Sequence, residues 1–194
     1  MTPTVSELVR ANTPRMIAAI QYLQGNSPAL LIDLPPLFDS HFRPTDSNMF
    51  TGMDLHRSVT SAVRGREVSR DHASITERLL SWLWQTGVNE IRPEVNLDHP
   101  DVRGNCDLLV RGGYNDTGII EIKACNEVPD YALSKHRMQL SLYLYAVATR
   151  NRGESGCWGA IAYCSLVTGH IRLFVWPDGT PNRKAMYRAL KLAA

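Results

Sequence analysis

The segment Ile119-Ile120-Glu121-Ile122-Lys123-Ala124-Cys125 constrains this chain more than any other. Its branched and apolar residues suit a strand covered on both faces. Side chains alternate along a strand, so Glu121 and Lys123 share one face while Ile120, Ile122 and Ala124 take the other. A carboxylate and an ammonium on such a strand are costly to desolvate unless they serve each other or an ion. Asp107 interrupts a neighbouring apolar run in the same way, between Cys106 and Leu108-Leu109-Val110. The stretch from Gly112 to Gly118 is rich in turn residues, and a hairpin through it brings Asp107 beside Glu121.

Two readings of that meeting stand side by side. In one, Glu121 and Lys123 form a structural ion pair at a sheet edge. In the other, Asp107 and Glu121 repel and so ask for a cation. Oxygen-only ligands of this kind suit magnesium or manganese, with waters and a substrate phosphate completing the shell. Ions held there polarise a phosphodiester and acidify a water, and Lys123 would hold that water or help deprotonate it.

The rest of the chain predicts one mixed domain. Its 194 residues are about one domain's worth. Val5 to Gln24 predicts a helix or two, interrupted at Pro14. The prolines at 35, 36 and 44 then predict an irregular or clamp-like segment. Residues 1–55 are therefore expected to form an N-terminal helical and irregular extension, with 56–194 as the domain proper. Asp71 to Gln85 has Ile75, Leu79, Trp82 and Leu83 at helical spacing and Gly87 as a stop. Strands are expected over Ile91–Leu97, Asp107–Arg111 and Ile119–Cys125, a long helix over Asp130–Arg150, a hairpin over Trp158–Leu166 and His170–Trp176, and a last helix over Lys184–Leu192. Helix, three strands, helix, two strands, helix is an α/β arrangement, a mixed sheet flanked by helices.

Net charge is only +2, too small to identify a partner. Two basic runs stand out, one of Arg57, Arg64, Arg66 and Arg70 diluted by Glu67 and one of Arg183, Lys184, Arg188 and Lys191, and each suits either a solvated helix face or a grip on phosphates. The four cysteines form no CxxC pair, and there is no secretory segment or membrane-length apolar run. An intracellular protein without a membrane partner is expected.

The residues Gly104-Asn105-Cys106-Asp107, Glu121-Ile122-Lys123 and Gln139-Leu140-Ser141-Leu142-Tyr143 resemble the GxxD, ExK and QxxxY series of RecB-type PD-(D/E)XK nucleases. That group includes lambda-exonuclease-like and CRISPR-associated nucleases. The likeness runs from Ser69 to Trp176 in order, spacing and element type. It implies a restriction-endonuclease-like core in which Asp107 and Glu121 bind two magnesium or manganese ions. The carbonyl of Ile122 adds a ligand, Lys123 is catalytic, and Gln139 and Tyr143 contact the substrate backbone. Lys135, one turn earlier on that stripe, would meet a phosphate. The family also places an acidic residue on the helix before the sheet, for which Glu77 is the candidate and His72 the rival, with Glu94 within reach.

Some relatives hold an iron–sulfur cluster on four cysteines. Only Cys157 and Cys164 follow the QxxxY helix here, so no cluster is expected. The implied function is a DNA exonuclease acting from a free end in DNA repair, recombination or phage DNA processing. A structure-specific or nonspecific endonuclease, or a non-catalytic DNA-binding module on the same fold, are the alternatives.

Overall fold

Six strands make a single mixed sheet in a computed structural model of the chain, which describes residues 2–11, 14, 30–37, 42–150, 156–179 and 183–193. They are β1 (Leu30–Leu34), β2 (Val88–Asp98), β3 (Arg103–Gly112), β4 (Thr117–Cys125), β5 (Cys157–Ser165) and β6 (Ile171–Trp176), in the order β1-β6-β5-β4-β3-β2. Five helices accompany them among the described residues: α1 (Val5–Ala11), α2 (Met49–Val63), α3 (Arg70–Gln85), α4 (Ser134–Arg150) and α5 (Arg183–Ala193). β4 and β5 run parallel, and α4 makes the crossover such a pair requires. The other neighbours are antiparallel.

The sheet is covered on both faces. Val5 and Leu8 of α1, the apolar residues of α4, and Met186 and Leu190 of α5 close one core. Leu55 and Val59 of α2 and Ile75, Leu79, Trp82 and Leu83 of α3 close the other. This double cover explains why every residue of β5 is buried and why β4 is apolar on both sides. Gly118 is a packing requirement of that second core: a Cβ there would run into the Trp158 indole, whose Nε1–H donates to the Gly112 carbonyl at 2.8 Å. The fold class is thus mixed α/β, a six-stranded sheet between helices, as the pattern predicts.

The N-terminal expectations need correction. Leu30–Leu34, expected to be irregular, is a strand that pairs with β6 along its whole length. The prolines that argued against regular structure begin directly after it, at Pro35 and Pro36. The boundary expected at residue 55 falls inside α2. Of the helix expected over Val5–Gln24, Val5–Ala11 is helical, and residues 12–13 and 15–24 lie outside the described residues. The described parts of residues 1–55 belong to the same sheet and cores as the rest.

Candidate active site

The centre of interest is a break in a ladder. β3 and β4 pair from Arg111–Thr117 as far as Leu108–Ile120, and then regular pairing stops. The next opposing residues are Asp107 and Glu121, and their side chains take over the backbone's hydrogen bonds. The Ile122 N–H donates to Asp107 Oδ2 at 2.7 Å, and the Asp107 N–H to Glu121 Oε1 at 3.4 Å. A strand residue's N–H and C=O leave on the same edge, so the Ile122 carbonyl also faces this opening.

Lys123 lies against both acids, with Nζ 2.8 Å from Glu121 Oε2 and 3.9 Å from Asp107 Oδ2. Glu121 is completely buried. Burial and the neighbouring Asp107 charge push its carboxyl up to about 7, although Lys123 pulls the other way. Asp107 is also penalised by burial, but His56, Lys123 and the Ile122 N–H outweigh that and hold its carboxyl below the ordinary range. Burial works against the Lys123 ammonium too, and the two carboxylates more than compensate, so it stays firmly charged. One ammonium therefore does not balance this pair, because Glu121 still tends to keep its proton.

The sequence reading missed His56. Its Nδ1 lies 3.2 Å from Asp107 Oδ1. Burial disfavours the imidazolium, but the hydrogen bond and charge of Asp107 prevail and raise its pKa. α2 brings it there. Asn48 caps the helix by accepting from the N–H groups of Phe50 and Thr51, while the Thr51 hydroxyl accepts from the Asn48 N–H. Gly52 then rides over Ala124 of β4, where an added Cβ would meet the alanine's at 3.6 Å. One turn later His56 reaches the acids. The Asn48–Thr51 capping box and the Leu55–Val59 spacing were the signals available for this helix.

Glu77 and His72, expected near the metal, are not brought there. Glu77 is exposed on α3, in a groove with Ala62, Leu80 and Trp84 that shares no residue with the acid cluster. His72 is buried, and the charges that bear on it are those of Asp71 and Asp54. The helix that overlies the ladder break is α2, so its histidine holds the place expected of α3. Glu94 is exposed in a left-handed conformation at φ 53°, 3.5 Å from Arg64, and shares an outer groove with Met53 and His56.

Gln139 and Tyr143 reach this region, but Tyr143, expected to contact a substrate backbone, is buried and serves the fold instead. The Tyr143 hydroxyl donates to the Asn105 carbonyl at 2.7 Å and is hydrogen-bonded by Gln139. A Cβ on Gly104 would lie 3.0 Å from the Tyr143 ring, so that glycine makes room for the tyrosine. Gly104 and Tyr143 are thus coupled by packing, and Tyr143 braces the strand that carries Asp107. Lys135 and His136 line a cleft with His56, Ile122, Lys123 and Tyr163. The Tyr163 hydroxyl accepts from the Leu133 N–H at 3.0 Å and is hydrogen-bonded with His136 Nδ1 at 2.8 Å. Burial and then the Lys123 and Lys135 charges push His136 down to about 3, which keeps it neutral.

The donor set suits a hard divalent cation: Asp107, Glu121 and the Ile122 carbonyl, with His56 against Asp107. No group of three or more His, Cys, Asp and Glu side chains forms a ready cage among the described residues. Magnesium keeps several waters and needs only one or two carboxylates. Also among the described residues, no helix is long and apolar enough to cross a membrane.

No model of a known protein family matches the chain. No curated protein matches it. Among solved structures, "Crystal structure of SSO0001" aligns with 60% of this chain and 51% of its own, at 20% identity and a TM-score of 0.38. The alignment spans about half of that protein, and so slight a likeness carries no argument about fold or activity.

Proposed function

We propose that this chain is a magnesium- or manganese-dependent DNA nuclease of the PD-(D/E)XK type, with Asp107, Glu121 and Lys123 at its centre. The observation that carries the reading is the meeting of Asp107 and Glu121 where the β3–β4 ladder opens, with Lys123 against both acids and the Ile122 carbonyl facing the same opening.

A divalent cation held by Asp107, Glu121 and the Ile122 carbonyl would stabilise charge on the scissile phosphate and acidify the attacking water. Lys123, 2.8 Å from Glu121, would stand beside such an ion, where its ammonium could orient that water or a phosphate oxygen. His56 steadies Asp107, and Tyr143 and Gln139 hold β3 in place beneath it. Lys135, exposed on the cleft wall, attracts the phosphate backbone without reading sequence.

We infer an end-processing mode, since the basic runs suit a sequence-independent grip and the family resemblance is rich in exonucleases. Incubation of linear and covalently closed plasmid with magnesium or manganese tests both points. Linear DNA should be degraded from its ends, closed circles should persist, and a chelator should silence the reaction. Activity in excess chelator would refute the metal reading, and equal rates on both plasmids would make the enzyme an endonuclease.

A further inference from the structure

α2 is apolar on two opposite sides. Leu55 and Val59 are buried on the side facing the sheet. On the other side, Met49 and Phe50 are each 71% exposed and Met53 is 47% exposed. At about 100° per residue, these three fall with Arg57 inside an arc of roughly 100° on the side away from the buried stripe, and His56 stands at its edge, turned toward the acids. A surface helix is expected to turn polar residues outward, so a second apolar stripe calls for an occupant.

We propose that Met49, Phe50 and Met53 form a platform on which unpaired nucleobases stack as a nucleic-acid strand enters the cleft. The inference rests on the nuclease reading and extends it to how the substrate is held. Three observations point to bases. First, the platform is continuous with the proposed active site: Met49 and Gly52 line the cleft with His56, Lys123 and Lys135. His56 stands six residues beyond Phe50, about 9 Å along the helix axis.

Second, the apolar patch is bordered by cations. Lys123 and Lys135 stand on the cleft wall, with Glu127 as the acid among its lining residues. Arg57 follows on the same helical face, in an exposed pair with Asp54 that costs little to break. A single strand presents flat apolar faces and phosphates side by side, which matches an apolar ridge edged with positive charge.

Third, the ridge is held rigidly. The capping box fixes the first turn of α2, the Ser47 N–H donates to the Asn126 side chain at the end of β4, and Gly52 is seated on Ala124. Stacking on a pre-ordered surface costs little ordering entropy.

Fluorescence anisotropy with the full chain, calcium replacing magnesium to prevent cleavage, tests the platform. The probes are a labelled oligothymidylate and an abasic strand of the same length. Wild type should prefer the base-bearing strand. Phe50→Ala and Met53→Ala should each weaken that binding about 5- to 100-fold and erase the preference, while Phe50→Trp restores it. Wild-type-like binding of both strands by both alanine variants overturns the proposal. So does a wild-type dimer in light scattering that Phe50→Ala turns into a monomer, because the ridge would then belong to a second copy. Hydrolysis of bis(p-nitrophenyl) phosphate by wild type with manganese is measured in parallel. That small diester needs the metal centre and no bases, so its failure strikes the nuclease reading and not the platform.

Discussion

His56 and His72 stand on adjacent helices of one layer, and their surroundings are opposites. His56 faces an acid at 3.2 Å and its pKa is raised. His72 is 4% exposed, and neither ring nitrogen has a hydrogen-bond partner among the described residues, nor does the hydroxyl of Thr76 one turn away. Burial dominates there and lowers its pKa, the Asp71 and Asp54 charges being too weak to offset it. Burial alone therefore does not mark a functional polar group. His56, half-exposed, has an acid to favour its charged form, whereas the fully buried, unpartnered His72 is a cost to stability.

The largest effects should come from the acid cluster. Asp107→Ala is expected to remove both magnesium-induced stabilisation and cleavage, with kcat/KM down at least about a thousandfold. Lys123→Ala should lower kcat by roughly a hundred- to ten-thousandfold while a magnesium-induced rise in Tm persists. Loss of that rise in Lys123→Ala would show that the lysine shapes the ion site itself.

Next come the two histidines. His56→Ala should cost about ten- to a hundredfold in activity, the usual effect of removing a group that holds a ligand in place. His72→Ala should leave the rate per folded molecule unchanged. A reversal of that ranking in steady-state assays would return the metal site to α3.

Stability against pH separates the regions by sign. Between pH 4.5 and about 7 the folded protein retains a proton on Glu121 that the unfolded chain has released. Rising pH therefore drains stability across that window, by roughly 1–3 kcal/mol. His56 adds to this slope, since its raised pKa gives stability that is lost on going above 6.5. His72 acts the other way: below 6.5 the unfolded chain takes up a proton that the buried ring resists, so falling pH is destabilising. Urea titrations without metal should show Glu121→Gln flattening the neutral-side loss and His72→Leu flattening the acid-side loss. A Glu121→Gln profile parallel to wild type would place that proton elsewhere.

His72→Leu should also raise stability at neutral pH by about 1–3 kcal/mol, because it removes two unsatisfied polar atoms from the interior. The smallest change should be Glu77→Ala. That side chain is exposed and its groove shares no residue with the acid cluster, so stability should move by no more than about 0.5 kcal/mol and activity not at all.

The strands and long helices were legible because their periods are local. Alternation along Ile119–Cys125 put Glu121 and Lys123 on one face, and the hairpin over Gly112–Gly118 brought Asp107 alongside, as the structure has it. β1 was illegible because a five-residue edge strand beside two prolines carries little pattern of its own, and only β6 makes it a strand. α2 was hidden by its two apolar sides, which blur the single stripe by which an amphipathic helix is recognised.

Residue type and spacing along one strand and its neighbour are enough to give a mixed sheet between helices and to bring Asp107, Glu121 and Lys123 together. Which helix crosses the opened ladder is settled by packing. That choice depends on Gly52 fitting against Ala124 and Asn48 capping the turn before it, contacts between residues about seventy positions apart or set by a helix start. It put His56 rather than His72 or Glu77 beside Asp107, because a side chain's partner is set by packing distance, which no local period encodes.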